Sequence, residues 1–427
     1  MNSGDVFNTF DGDCEVSYVV YRPTAPINSR SPIEFTIPPS PSQYINLRQT
    51  RLRVTAQLVD NENKPITQES LYPLARVKPD GSPYTQAEID EHEKGRVCPS
   101  NLLLSSIFNQ IDVYLNNIQM AKTIGSNYSY KAYIDTLLHK GSYQDEKTHL
   151  ASEFYVKQSN PTSFDRNMSI MAESSRYCDG ALLNLEGVIH SDIFDIWKSL
   201  ISGTELKLKL YQNHDPFRVH AATSDNNFKI LVSDASLSVC YTHLNPEQII
   251  ENETHLAKTP ALYPFKRSDI KVFQLAAGSY SASFDNIFTT SPYEIVIAMV
   301  KSKAYSGSSV ENSYNFQHFN INFLEVALDN ASCPGAPLKP DFDAKNYTEA
   351  YMKLIDTRNP NQRLGIHYDE YTEGYTLFRF ELPKDNRRGN VSIRLSFSKA
   401  LPEGAAMIVY AKYKSEFKID SERNILE

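Results

Sequence analysis

Long apolar runs are absent from this sequence of 427 residues. No stretch approaches the roughly 20 consecutive apolar residues that a helix needs to cross a bilayer. The first ten residues also lack the basic and apolar regions of a secretory signal peptide. These absences predict a soluble protein that is made inside a cell and is not secreted.

Cysteine is scarce, and the five cysteines are odd in number and far apart in the sequence: Cys14, Cys98, Cys178, Cys240 and Cys333. No two of them have the close spacing of a zinc-binding pair, and intracellular proteins rarely keep disulfides. We therefore expect all five to be free thiols, either buried or at the surface.

A basic stripe is absent as well. The formal net charge is −8, acids and bases are well mixed, and the first thirty residues carry more acids than bases. Strong binding to nucleic acid needs clustered Lys and Arg that displace counterions from phosphates. The composition therefore argues against strong direct nucleic-acid binding. If the protein encloses a genome, it does so without holding it tightly.

The common catalytic motifs are missing: there is no P-loop, no GxGxxG after a strand, no HExxH and no GxSxG. The segment Glu88–Glu93 around His92 is typical of a solvated acidic loop, and His318 of a hydrogen-bonded structural residue. We predict no catalytic residue, no cofactor-binding residue and no metal ligand, and hence a protein that is not an enzyme.

Aromatic residues are abundant, with 26 Tyr and 21 Phe against the single Trp197. Tyr and Phe suit half-buried pleated surfaces, and the 23 Pro indicate firm turns. Apolar and polar residues alternate in Arg51–Leu58, Glu205–Leu210 and Val391–Ser398. This alternation predicts antiparallel strands with one face on a core. More continuously apolar segments are predicted to be inner strands: Tyr293–Val300 and Ala405–Tyr413.

Helical periodicity is limited to three short segments. Tyr130–His139 and Tyr347–Ile355 place apolar residues at helical spacing, and Gly141 predicts the end of the first helix. Ser191–Leu200 fits a third helix, with Trp197 on its apolar side. We expect these helices in loops between strands.

Long polar segments interrupt the strands. Asp60–Arg96 and Asn330–Asn346 are predicted to be loops, and loops of this length are usually functional or lie in interfaces. Leu244–Pro264 lies just past the midpoint and is interpreted as a domain linker. The length suits two domains. We predict an N-terminal arm, a first domain, a linker, and a second domain with a C-terminal tail at 1–30, 31–245, 246–265 and 266–427.

Two segments repeat one pattern. Ile111–Asn117 and Leu324–Asn330 share an aliphatic residue, an acid, valine, a free position, leucine, Asx and asparagine in the same order. Each predicts a strand ending in an Asx turn, followed by a helix that contains Ala-Tyr. The strands are 213 residues apart, and Ala132 and Ala350 are 218 apart. We infer a duplicated domain, because solenoid repeats are only about 20–50 residues long.

Each copy offers about eight candidate strands, long connections and one or two loop helices. This combination predicts a jelly roll, in which two four-stranded sheets are joined by Greek-key crossings. The predicted fold is therefore all-β, with two tandem eight-stranded jelly-roll β-sandwiches and short loop helices. The stripe of Phe316, Phe319 and Phe323 favours packing in a core or between the barrels over a ligand platform.

Several segments resemble the major capsid proteins of polinton-like viruses and adintoviruses, and their integrated relatives in invertebrate genomes. They are Leu71–Val77, Asn101–Asn117, Tyr130–Gly141, Asn315–Phe323 and Tyr347–Leu354. The resemblance runs from about Pro32 to Asp420. In one departure, Asn312–Asn315 lacks the Pro-Phe step that this family has before Asn-Phe, and this difference affects only a turn.

The resemblance implies a double jelly roll whose barrels stand upright in a capsid shell. Three chains would form a pseudo-hexagonal capsomer, and capsomers would form an icosahedral shell around a DNA genome. The implied partners are two further copies, neighbouring capsomers, and penton and minor capsid proteins, and the implied location is the virion capsid. Asp60–Arg96 would build an outward tower or clasp a neighbour. Contact with an internal membrane stays open.

Two other functions stay open on the residues alone. A tandem β-sandwich module that binds a carbohydrate or a protein ligand would need an exposed aromatic platform or a calcium site. A cupin-like enzyme would need a compact His-rich metal set within one barrel. The duplication and the missing catalytic set are compatible with a capsid subunit, and the resemblance is what favours it over both.

Overall fold

The computed structural model describes residues 15–67, 78–89, 97–121, 127–139, 178–221, 228–355, 366–383 and 388–426. Several predictions concern residues outside these ranges. They are the helix end at Gly141, the thiol of Cys14, the resembling segment Leu71–Val77, and much of the acidic segment around His92.

Strands make up about half of the described structure. In chain order they are β1 (Glu15–Tyr21), β2 (Ile33–Ile37), β3 (Gln43–Asp60), β4 (Val97–Pro99), β5 (Phe108–Leu115), β6 (Ile118–Ala121), β7 (Leu183–Gly187), β8 (Leu206–Gln212), β9 (Val219–Ala221), β10 (Phe228–His243), β11 (Ala261–Leu275), β12 (Ser281–Thr290), β13 (Glu294–Lys301), β14 (Ile321–Leu328), β15 (Ala331–Leu338), β16 (Leu377–Glu381), β17 (Arg388–Phe397), β18 (Ala405–Ile419) and β19 (Ile425–Leu426).

Short helices lie between the strands. Three are named here for later use: the first loop helix (Tyr128–His139), the connecting helix (Pro246–Leu256) and the second loop helix (Thr348–Met352). Others are Leu103–Ser106, Asp215–Arg218, Ser302–Tyr305 and the 3-10 turn Asp192–Asp195. Within the described residues, no helix is long and apolar enough to cross a membrane.

The strands form two pairs of four-stranded sheets with the same connectivity. The first half contains the β1 sheet, in the order β1-β10-β3-β7, and a sheet in the order β2-β8-β5-β6. The second half contains the β11 sheet, in the order β11-β18-β13-β16, and a sheet in the order β12-β17-β14-β15. In addition, β19 pairs with β18, and β4 pairs with β9.

This connectivity is that of a jelly roll, repeated twice. When the short strands β4, β9 and β19 are left out, the first, eighth, third and sixth strands of each half form one sheet. The second, seventh, fourth and fifth strands form the other. Antiparallel sheets linked in this order enclose one core per half. The predicted double jelly roll is confirmed.

The alternating patterns place one face of each strand on these cores. In β3, Leu52, Val54 and Leu58 are buried, and Arg53 between them is exposed. In β17, Val391, Ile393 and Leu395 are buried. Because successive side chains of a strand point to opposite faces, this register is the one that the apolar residues require.

The repeated sequence pattern forms the same hairpin in both halves. Strands β5 and β14 are each followed by two residues with positive φ, at 46° and 65° for Asn116 and Asn117 and at 52° and 67° for Asp329 and Asn330. Two consecutive left-handed residues are characteristic of a type I′ hairpin turn, which Asn and Asp tolerate better than other non-glycine residues. The hairpins lead into β6 and β15.

Two sequence interpretations need correction. Asn330–Asn346 is not a loop throughout, because it contains β15, which pairs with β14. Ser191–Leu200 is not a regular helix: only Asp192–Asp195 turns, in 3-10 geometry, and Trp197 is 75% exposed. An apolar spacing that fits a helix can also arise in an irregular segment whose apolar residues insert separately into a core.

The segment between the two halves contains regular structure. The connecting helix begins after Asn245, whose side chain accepts a hydrogen bond from the amide of Gln248, and Pro246 occupies its first turn. β11 begins within the predicted linker 246–265, and β1 lies within the predicted arm 1–30. The domain boundaries themselves stay predictions.

We expect Asn117→Val to lower the free energy of unfolding by about 1–2 kcal/mol, because a β-branched residue is strained at positive φ. Asn330→Val at the matching turn should behave alike, and Asn117→Gly should be nearly neutral. Urea unfolding of the three variants checks this. Equal stability of Asn117→Val and Asn117→Gly would contradict the turn assignment.

Candidate functional site: the contact between the two jelly rolls

The first loop helix lies between the two jelly rolls. Residues 127–138 are buried, with only Asp135 partly exposed. On the opposite side of the contact, β13 is buried from Glu294 to Val300, and β18 from Ala405 to Tyr413. A strand that is buried on both faces has a core on one side and a second cover on the other. The side-chain contacts below show that the first loop helix supplies part of this cover.

Aromatic rings fill the apolar half of the contact. The rings of Tyr133 and Tyr314 are stacked, with centroids 4.0 Å apart, and the ring of Tyr130 lies 5.8 Å from that of Tyr305. Phe316 also touches both tyrosines of the helix. Large rings that are fully buried contribute much apolar area and favour specific relative orientations.

Two tyrosyl hydroxyls of these rings find partners across the contact. The hydroxyl of Tyr314 lies 2.7 Å from Ser106 Oγ, and the hydroxyl of Tyr305 donates to Asn127 Oδ1 over 3.1 Å. Buried hydroxyls cost stability unless they are hydrogen-bonded. These pairs therefore help to fix where segment 302–316 of the second jelly roll meets the first.

The charged half of the contact is a path of six buried side chains of alternating sign, each between 8% and 17% exposed: Asp192, Lys131, Asp135, Lys412, Glu294 and Arg379. The first three belong to the first jelly roll and the last three to the second. With three cations and three carboxylates, the path is neutral as a whole.

Within the first jelly roll, Lys131 joins two carboxylates. Its Nζ lies 3.0 Å from Asp135 Oδ2 and 3.2 Å from Asp192 Oδ1. Asp192 also accepts hydrogen bonds of 2.7 Å from the backbone amide and the hydroxyl of Ser268 on β11. The tyrosyl hydroxyl of Tyr410 donates to Asp135 over 2.8 Å. Both carboxylates therefore bind to the second jelly roll directly.

Within the second jelly roll, Glu294 joins two cations. Arg379 donates to it over 2.6 Å and Lys412 lies 3.2 Å away. Lys412 then reaches Asp135 at 3.5 Å, which closes the path between the two halves. β13, β16 and β18 are neighbours in the β11 sheet, and the register of Glu294 opposite Lys412 places these residues on one face.

The pKa shifts show that the ionised forms are favoured. Burial alone would raise the pKa of Glu294, but Lys412 and Arg379 hold it below its ordinary value. Burial would lower the pKa of Lys131, but Asp135 and Asp192 raise it. A buried ion pair offsets its desolvation only in good geometry. The path therefore favours one relative placement of the jelly rolls.

A histidine joins the halves elsewhere. Nδ1 of His220 on β9 donates to the carbonyl of Ser309 over 3.0 Å, and the amide of Ala221 donates to the same carbonyl over 2.6 Å. His220 is buried, and burial lowers its pKa to about 4. The imidazole is therefore neutral at neutral pH, with its proton on the nitrogen that faces Ser309.

The C-terminal segment adds another contact. Arg423 donates to Glu253 of the connecting helix over 2.6 Å and to the carbonyl of Ser202 over 2.7 Å. The side-chain amide of Asn116, in the first hairpin turn, donates to the carbonyl of Arg423 over 2.6 Å. This end of the second jelly roll is thus tied to the first and to the helix between them.

Several residues singled out from the sequence have contacts that the structure describes. Nδ1 of His318 accepts a hydrogen bond from the amide of Asn320, so this histidine is structural. Phe316 packs between the barrels, as one of the two expected alternatives. Glu88 pairs with Lys78 and accepts from the amide of Thr85. Four cysteines are free thiols: Cys98, Cys178, Cys240 and Cys333.

The sequence analysis does not predict the charged path, although two charged residues in apolar segments indicate it. Glu294 and Lys412 stand inside segments that are otherwise apolar and predicted to be inner strands. Charged residues are almost never buried without partners. Their presence in inner strands indicates a buried ion pair, but the sequence does not show which residues complete it.

Comparisons with known proteins show which structures share this architecture. No family model matches the chain. A Caenorhabditis elegans protein described as "Uncharacterized protein F54H12.2" is 26% identical over 420 residues, which cover 93% of each chain. A structure of the Sputnik virophage aligns with 100% of this chain and 90% of its own, at TM-score 0.62 and 12% identity. The Faustovirus major capsid protein aligns with 97% and 92%, at TM-score 0.57 and 8% identity.

The fold is therefore one that a known class of proteins shares. Among its structural neighbours are double jelly-roll major capsid proteins of virophages and large DNA viruses. At these sequence identities the similarity shows the fold, and it extends over nearly the whole of this chain and of each neighbour.

We expect Glu294→Gln to lower the free energy of unfolding by about 3–5 kcal/mol, because two buried cations lose their carboxylate. The matched control is Glu186→Gln, which removes the partner of Arg53 from an exposed pair and should cost about 1 kcal/mol or less. Since the pKa of Glu294 is lowered, its contribution is complete above the ordinary glutamate pKa and is lost as the pH falls through the depressed value. Urea unfolding at several acid pH values should therefore show a weaker pH dependence in Glu294→Gln. Equal losses in the two variants would contradict the role of the path.

A second pH dependence is expected from His220. Between its ordinary pKa of 6.5 and its lowered pKa of about 4, the unfolded chain binds a proton and the folded chain does not. Stability should therefore fall as the pH decreases through this range. His220→Asn keeps a donor near Ser309 without titrating, and should flatten the dependence of the urea midpoint on pH. An unchanged dependence, equal to that of the exposed control His367→Asn, would show that His220 is not the cause.

Proposed function

We propose that this chain is a viral structural protein, the major capsid subunit, which trimerises into pseudo-hexagonal capsomers that form an icosahedral shell around a DNA genome. The observation that carries the proposal is the duplicated jelly roll, aligned over nearly its full length with major capsid proteins. The resembling segments suggest the group of polinton-like viruses and adintoviruses in particular. We propose a non-enzymatic role in the virion capsid.

The physics of the contact supports this role. Two jelly rolls of one topology present similar outlines, so three copies provide six nearly equivalent barrels around a threefold axis. A shell unit also has to keep its shape when neighbours press on it. The charged path and the stacked rings oppose sliding of one barrel against the other, since both need one geometry. Neighbouring capsomers and penton and minor capsid proteins are the proposed partners.

The alternative of a tandem carbohydrate- or protein-binding module has one feature in its favour. Trp197 is 75% exposed, as a ligand platform would be. However, the guanidinium of Arg48 lies over its ring, 3.7 Å from the centroid, and occupies one face. The feature is therefore also suited to a protein–protein contact, where Trp and Arg are both enriched.

Purified protein should elute as a stable species of three times the 48.5 kDa chain mass, because the fold offers six barrels only as a trimer. Light scattering after gel filtration measures the mass, and negative-stain electron microscopy should show pseudo-hexagonal particles with a central threefold axis. A monodisperse monomer at micromolar concentration would overturn the capsid proposal. Glycan binding by that monomer would favour the binding module.

A further inference from the structure

The contact between the two jelly rolls joins one helix to one sheet face. The helix has a counterpart in the second jelly roll, and the sheet has a counterpart in the first. The first loop helix packs on the outer face of the β11 sheet, the face that bears Glu294, Arg379 and Lys412. The counterpart of the helix is the second loop helix, and the counterpart of the sheet is the β1 sheet. In the described residues, both counterparts present exposed side chains where the first pair is buried.

The second loop helix is exposed to solvent at a position where the first is buried. When Ala350 and Tyr351 are aligned with Ala132 and Tyr133, Met352 corresponds to Ile134. Ile134 is fully buried, whereas Met352 is 50% exposed. An exposed methionine beside charged residues is a typical adaptable contact residue at a protein surface.

The outer face of the β1 sheet is open at its edge strand. Strand β1 has no buried residue, and Val16, Tyr18 and Val20 are 45%, 54% and 49% exposed. They share the outer face, because Tyr21, one position further, packs on the core side with its hydroxyl 2.7 Å from that of Tyr241. The central strand β10 is buried from Ala235 to Thr242, so the open part of this face lies on β1 and on β3, where Arg53 is exposed.

Two neighbouring residues of β3 connect this open face with the exposed tryptophan. The hydroxyl of Tyr18 donates to Gln49 over 3.4 Å, and the next residue along, Arg48, covers Trp197. The exposed area of the valines, Tyr18 and Trp197 is on the order of 400 Å². A stable interface buries about 800 Å² on each partner, with an apolar centre inside a polar rim. The face therefore supplies about the apolar centre that a contact between two protein copies needs.

Each of the two open surfaces carries one exposed ion pair. Glu349 and Lys353 form a pair at 2.9 Å on the second loop helix, at the positions that Lys131 and Asp135 occupy on the first. The outer face of the β1 sheet carries the pair of Arg53 and Glu186, at 2.8 Å. Placed against each other, the two pairs bring Glu349 to the arginine, in an exposed setting that remains hydrated before assembly.

We propose that the second loop helix of one copy packs on the outer face of the β1 sheet of the next copy, so that Met352 meets Tyr18 and Glu349 meets Arg53. The occupant is a second copy because the same chain carries both halves of the contact. Such a contact is heterologous, and it forms a closed ring when the rotation between copies allows it. The inference rests on the proposed capsid function and assigns residues to its trimer contact.

Charge reversal tests the contact. Glu349→Lys should weaken self-association at least about tenfold, since it places like charges together, and adding Arg53→Glu should restore most of the loss. The matched control is Glu247→Lys, which also reverses an exposed first-turn glutamate, on the connecting helix. Light scattering over a concentration series measures association, and circular dichroism checks that each variant folds. Equal trimer formation by Glu349→Lys and Glu247→Lys would overturn the inference.

Crosslinking supplies an independent measurement. The photoreactive residue p-benzoylphenylalanine in place of Met352 should form crosslinks between copies to peptides within 15–22 or 51–57. The same residue in place of Ile250, which is 67% exposed on the connecting helix, should not. Crosslinks from position 352 to position 352 of another copy, or to other segments, would contradict the contact.

The two proposals fail in different ways. If the wild-type chain stays monomeric, the capsid function fails and this inference falls with it. If the wild type forms trimers that Glu349→Lys leaves intact, and position 352 crosslinks elsewhere, only the assignment of the contact is wrong.

Discussion

The buried ion pair between Asp135 and Lys412 is the constraint on which the arrangement of the two jelly rolls depends, because it joins charges from both halves inside the protein. Neither charge can be buried alone at an acceptable cost. Each is therefore backed by further partners, Lys131 behind the aspartate and Glu294 behind the lysine. The stacked rings beside this path contribute buried apolar area, and the charged path favours one relative orientation of the jelly rolls. Together they favour one placement of the two jelly rolls relative to each other.

That constraint also explains why two copies of one topology differ in their surfaces. The first loop helix is covered nearly all round, and in the sheet that receives it β13 and the first part of β18 are buried on both faces. A helix that is buried on all sides and a sheet without a wet face cannot exist in an isolated domain. The second loop helix and the β1 sheet keep exposed charges and only a few large apolar residues. Surfaces that are in water before assembly require this composition, whereas a contact within one chain does not.

The sequence was most informative where local chemistry decides structure. Alternation located β3, β8 and β17, and the Asx-Asn pairs after β5 and β14 located both hairpin turns. The sequence pattern gave a wrong prediction where tertiary packing determines the local structure. The apolar spacing of Ser191–Leu200 imitates a helix, but its side chains enter different surroundings and Trp197 points outward. Conversely, the polar segment that is predicted to be a linker contains a regular helix, which starts at Asn245 and Pro246.

By itself, the sequence determined two like β domains, their strand registers and their matching turns, because periodicity and turn residues act over a few neighbouring positions. The sequence also placed Glu294 and Lys412 in inner strands, where buried charges need partners. Only the tertiary structure decided that the partners are Arg379 and Asp135, and that one loop helix is buried between the barrels while its counterpart faces water. Such pairings join residues hundreds of positions apart. They depend on how two folded surfaces meet, which no local pattern in a single sequence encodes.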